Sequence, residues 1–202
     1  MIKQIGNTNI NNLNNHGIVN IYPSRPRSST LADKLACHKF SQSYYQLIVT
    51  SDQDWMSDST IAIPTTEALL PELVPAEIYK RCSNLSHDGI KELKTFPLIV
   101  CSENTGWNGV TDSGQMAAYA YVNKITRFEN VIKVQFSVLS AFNQTKLCEF
   151  ASDFGLNMGC AMTDLNFTGW SVRRVNLFQA FSNADIFVEE EQVCLGKSQV
   201  KY

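Results

Sequence analysis

Close pairs of metal-binding or redox-active residues are missing from this chain of 202 residues. Its six cysteines (Cys37, Cys82, Cys101, Cys148, Cys160, Cys194) contain no C-x-x-C pair, and only three histidines (His16, His38, His87) accompany them. Structural zinc and dithiol redox sites need ligands a few residues apart. The sequence therefore implies no metal and no cofactor, and six free thiols in a reducing cytoplasm. A basic excess is missing too: 17 Lys and Arg against 19 Asp and Glu leave a formal charge of −2. Proteins that wrap a phosphate backbone gain affinity by releasing counterions to clustered cations, so nucleic acid would have to be read by a local patch. No apolar run reaches membrane-spanning length and no signal peptide opens the chain, which implies no membrane partner.

Catalytic motifs are equally scarce. There is no G-x-S-x-G elbow, phosphate loop or dinucleotide fingerprint. Cys37 and His38 are adjacent, so on a helix their side chains point about 100° apart, which does not suit nucleophile and base. Asp52, Asp54 and Asp58 share a loop, but a calcium loop counted from Asp52 would need Gly and Glu where Ser57 and Ile63 stand. Glu92-Leu93-Lys94 has the carboxylate-x-lysine spacing of metal-dependent nucleases, yet it falls in a helical stretch rather than on a core strand. The sequence leans away from an enzyme.

What is present is a fair-sized core. Hydrophobic residues make up 44% of the chain, with eleven Phe and seven Tyr, which suits a globular domain rich in sheet. Residues 1–28 form an Asn-rich arm and linker: seven of the first twenty residues are Asn, interleaved with Ile, Leu and Val. Such a segment reads as an arm, a strand pair or a self-assembling stretch. Pro23 and Pro26 then break regular structure, and Thr30 is placed to cap a helix. The remainder, 29–202, reads as one α+β domain with a mainly helical first part (29–95), a sheet-plus-helix module (96–182) and a C-terminal tail (183–202).

Within the first part, Tyr45–Thr50 and Thr60–Ile63 are expected strands, Pro75 opens a helix to Cys82, and Ser86 caps the next. Leu98–Cys101 is a short central strand. Residues 116–128 and 131–139 form a hairpin turned by Glu129-Asn130, with Ile132, Val134, Phe136 and Val138 facing one way. A helix from Asn143 to Gly155 buries Leu147, Phe150, Ala151 and Phe154, and a short one starts at Asn176. Strands and helices are grouped rather than alternating, which predicts a small antiparallel sheet or partly open barrel flanked by helices.

Candidate binding residues fall in three places. The polar, Gly-rich loop 102–114 offers Glu103 and Trp107, the latter able to stack on a ligand ring or plug the fold. The outward face of the hairpin offers Tyr119, Tyr121 and Lys133. The richest stretch is 164–178, where Trp170 precedes the pair Arg173 and Arg174, groups suited to phosphate or carboxylate.

The segment LNFTGWSVRRVNLFQAF, with FPLIVCSEN and AYAYVNKITRF upstream, resembles an uncharacterised small α+β module of bacterial conflict and anti-phage defence proteins. The resemblance covers about residues 85–181, and its specific part is Thr168-x-Trp170-x-Val172 followed by Leu177. Members carry His where this chain has Gly169, and Gly where it has Asn123. The resemblance implies context rather than an activity: an adaptor or sensor acting through a protein partner or self-assembly. Nucleic-acid binding through the aromatic and basic sheet face, and a metal-dependent nuclease, stand as alternatives.

Overall fold

The computed structural model describes residues 40–106, 110–159 and 162–186. The Asn-rich arm, the linker, the helix expected at Thr30, Trp107 and the tail beyond Ile186 lie outside the described residues.

Six strands form one mixed sheet: β1 (Tyr45–Thr50), β2 (Thr60–Pro64), β3 (Leu98–Ser102), β4 (Met116–Arg127), β5 (Val131–Asn143) and β6 (Gly169–Arg173). Their order across the sheet is β2-β5-β4-β3-β1-β6. The small antiparallel sheet expected from residue 96 onward is thus corrected in two respects. The sheet takes in the two strands expected within the mainly helical first part, and its β1/β3 pair is parallel, with Ile48 opposite Val100. The physical reason is visible in β1: all six of its residues are buried, as befits a strand covered on both faces.

The sheet curls into a half-barrel, which makes the fold α+β. Ile61 and Ile63 from one end of the strand order and Trp170 and Val172 from the other enter the same inner core, with Ile48, Val100, Val134 and Phe136. The outer strands are tied through the segment after β2, where Ala68 bridges Trp170 and the Leu69 N–H donates to the Trp170 carbonyl at 2.7 Å. At this seam Gly169 has a steric role: a Cβ there would lie 3.1 Å from the Glu67 carbonyl oxygen. That contact is tight enough that a side chain must push the seam apart.

Short helices close the inner core: α1 (Trp55–Asp58), α2 (Ala76–Cys82) and α3 (His87–Leu93). They contribute Trp55, Ile78, Cys82 and Leu93. Ser86 caps α3 as expected, its hydroxyl accepting from the Gly89 N–H at 3.2 Å, whereas Pro75 precedes α2 instead of beginning it. Glu92, from the carboxylate-x-lysine motif, lies on α3 and takes three bonds from Arg81, at 2.7, 2.9 and 3.2 Å. That fork holds its carboxyl below the usual range and clamps α3 to α2.

The outer face of β1, β3 and the start of β4 is covered by α4 (Thr145–Glu149), the turns that follow it, and α5 (Leu177–Asn183). The helix expected over 143–155 is therefore much shorter. Its buried set still holds, with Leu147, Ala151 and Phe154 inside, and Gly155 ends the stretch at φ +64°. Asn176 caps α5 by accepting from Phe178 and Gln179. In β5 the alternation holds for Ile132, Val134 and Phe136, whereas Val138, opposite Ala120 and beyond the pairing with β2, which reaches only Gln135, is exposed. Among the described residues no helix is long and apolar enough to cross a membrane.

Candidate partner-binding groove

Cross-strand partners share a face of a sheet, so the register places Leu47 with Ser171 and Val49 with Gly169 on the outer side of the seam. No residue of α4 or α5 lines this region. The result is a groove of about 840 Å³ running from β1 across β6 to Ala62 and Pro64 of β2.

Two loops and one turn wall it. At the end of β3, the Glu103 N–H donates to the Thr50 carbonyl at 2.9 Å, holding the loops after β1 and β3 together. The Glu103 carboxylate accepts from both the Thr168 N–H, at 2.6 Å, and the Thr168 hydroxyl. The Ser51 N–H in turn donates to that hydroxyl at 3.2 Å. The third wall is a 3₁₀ turn, Asp164–Asn166, closed by a capping box between Thr163 and Asn166.

Buried amides fix these walls. Gln144 is fully buried; its Nε2 donates to the Ser102 carbonyl at 2.7 Å and to Asn104 Oδ1 at 3.1 Å. Asn104 Oδ1 also accepts from the Thr111 hydroxyl at 2.8 Å, and the Asn104 N–H donates to the Leu165 carbonyl at 2.8 Å. Satisfied networks of this kind rigidify what they connect, so the loop that carries Trp107 is pinned at its described ends. Nearby, burial pushes the Cys101 thiol well above its ordinary pKa, and Cys148 adds to the rise.

The structure brings Glu103 and Arg173 into this one groove. Arg173 pairs with Asp164 at 3.1 Å, with side chains only 11% and 15% exposed. Its Nε is buried and finds no acceptor among the described residues. Arg174 points elsewhere: it ion-pairs with Glu77 and lies 6.0 Å from the Tyr44 ring centre. Hydrogen bonds from Tyr44 and then Arg174 hold the Glu77 carboxyl down to about 2.

The remaining candidates separate. Trp170 is wholly buried in the inner core, its indole N–H donating to Gln46 at 3.2 Å. Tyr119 is buried under α5, edge-on to Phe181 at 5.4 Å. Tyr121 is partly buried, 6.3 Å from Phe40. Lys133 is exposed on β5, its Nζ 5.5 Å from the Phe128 ring centre. Sequence reasoning missed Glu67, Glu72, Phe167 and Thr168, which line the groove. Only Phe167 left a readable signal, as a bulky apolar residue at the mouth of a strand.

Among the described residues no group of three or more His, Cys, Asp or Glu is arranged to hold a metal ion. Comparisons with protein-family models, curated proteins and solved structures find no match.

Proposed function

We propose that the protein is a non-catalytic adaptor or sensor component of a bacterial defence-type complex, acting through protein contacts. The observation that carries this reading is the groove with the exposed Phe167 in its lining. Phe167 is 53% exposed, and Met158 and Met162, close by in the chain, are 41% and 49% exposed. Exposed aromatic and Met side chains beside a rigid concavity are characteristic of surfaces that meet a partner. The defence context comes from the resemblance of the 85–181 segment.

Cross-linking in the native cell tests it. The full chain is expected to give a discrete cross-linked species that Phe167→Asp removes and that Phe128→Asp, altering an exposed ring elsewhere, leaves in place. Both residues are more than half exposed, so either change should alter folding stability by less than about 0.5 kcal/mol. A cross-linked species indifferent to Phe167→Asp, or a strictly monomeric protein without partners, would defeat the reading.

Nucleic-acid binding is a second reading, favoured by one observation. The register sets Tyr121 opposite Ser137, Lys124 opposite Gln135 and Lys133 opposite Thr126 on the outer face of the hairpin, where Lys124, Lys133 and Gln135 are exposed. Cations beside an aromatic ring can hold a single strand. Fluorescence anisotropy with a labelled oligonucleotide is then expected to show salt-sensitive binding, weakened about tenfold or more by Lys133→Glu. Binding unchanged by that substitution removes this face from consideration.

A further inference from the structure

We propose that the groove over the seam receives an extended segment of a partner protein in which basic side chains alternate with apolar ones. This inference rests on the adaptor reading and names the chemistry of the partner.

The base of the groove is apolar: Ala62 and Pro64 of β2, with Leu70 and Leu73 after it, offer accessible surface above the buried Leu47 and Val49 of β1, and Phe167 stands at one wall. Five carboxylates line the same groove against one guanidinium. That guanidinium, Arg173, is already neutralised by Asp164. Asp52, Glu67 and Glu72 make no ion pair among the described residues. Both bonds to the Glu103 side chain fall on Oε1, and its Oε2 has no partner among the described residues. The groove therefore presents apolar surface along its base and unneutralised negative charge along its sides.

That combination selects among occupants. A phosphate-bearing ligand meets like charge from every side, which costs several kcal/mol at an interface. A bare divalent cation lacks the close ligand set it requires, and among the described residues no such set exists. A small polyamine would satisfy the carboxylates and leave the apolar base uncovered. An extended peptide satisfies both, because its alternate side chains point to opposite faces: one set lies on the base and the wall, and the other reaches the flanking carboxylates. Opposite charge also raises the association rate, an effect that salt screens.

The test uses the full chain and two fluorescein-labelled nine-residue probes, one alternating valine with lysine, the other valine with glutamate, followed by anisotropy. The lysine probe is expected to bind and the glutamate probe to bind at least tenfold more weakly. Glu67→Gln combined with Glu72→Gln should weaken the lysine probe about tenfold while leaving the melting temperature unchanged. Phe167→Ala should weaken it further, whereas Lys133→Gln, outside the groove, should not. Equal binding of the two probes, or full competition by spermine at the lysine probe's own concentration, would overturn the proposal. Failure of the peptide is separable from failure of the adaptor reading: a cross-linked species lost on Phe167→Asp, with no binding of the lysine probe, keeps the adaptor and discards the basic segment.

Discussion

Replacing Trp170 with alanine is expected to destabilise the fold by about 3–5 kcal/mol, the range for deleting a large buried aromatic. The side chain is fully buried and shares the inner core with residues of β1, β2, β3, β4 and β5, so its removal opens a cavity that several strands would have to close together. It also orphans a hydrogen bond, because the indole N–H is the donor to Gln46 Oε1 at 3.2 Å. Urea denaturation reads the effect as a fall in midpoint with an unchanged slope. Trp170→Phe separates the two contributions: it keeps much of the packing and is expected to lose less, about 1–3 kcal/mol, the range for a buried group left unpaired. A fully exposed site would show neither loss, and that outcome would remove Trp170 from the core.

The second large effect is expected at Gln46. This residue sits fully buried on the inner face of β1, beside Ile48 of the inner core. Its Nε2 donates to the Leu93 carbonyl at 3.0 Å and to the Phe96 carbonyl at 3.2 Å, and its Oε1 accepts from Trp170. One amide thus satisfies the end of α3, the turn that leads into β3, and the indole of β6. Gln46→Leu conserves size but strands two buried polar groups, the Phe96 carbonyl and the Trp170 indole N–H, each worth about 1–3 kcal/mol if left unpaired, while the Leu93 carbonyl keeps the Phe96 N–H at 3.0 Å. A loss of about 3 kcal/mol or more is expected in the same denaturation assay. Because Gln46 and Trp170 share a bond, their effects should not add. In a double-mutant cycle, Gln46→Leu should cost less in the Trp170→Phe background, by about 0.5–3 kcal/mol. Strict additivity would show that the two side chains do not meet.

How much of this was legible in the sequence depended on the distance over which each signal acts. The hairpin of β4 and β5 was readable because alternation and the Glu129-Asn130 turn are local, and the caps Ser86 and Asn176 were readable for the same reason. The parallel pairing of β1 with β3 was not, since nothing in Tyr45–Thr50 names its neighbour. The seam was likewise invisible: the bonds joining Ala68 and Leu69 to Trp170 unite segments with no common pattern. Helix α4 is shorter than expected at its C-terminal end, where Phe150 leaves helical geometry at φ −115° and ψ 34° although the apolar spacing continues to Phe154. Tyr119 lies on the outer face of the sheet, as expected, but α5 covers it, and Trp170 sits on a strand whose burial on both faces leaves no alternation to reveal its direction. Glu103 and Arg173 did fall in one groove. Two of the residues that give the groove its character, Glu67 and Glu72, are ordinary in sequence and acquire meaning only where the sheet curls.

The strand order has a consequence for the nascent chain. Among the described strands, the last to leave the ribosome, β6, is the partner of the first, β1, and Trp170 reaches Gln46 across 124 positions. Domains synthesised from the N-terminus acquire their early pairings first. Until residues 169–173 emerge, β1 therefore has an open edge of unpaired backbone groups, of the kind that templates association between chains. Synthesis of this protein passes through an interval in which most of the sheet exists without its closing strand, and release of the last segment ends it.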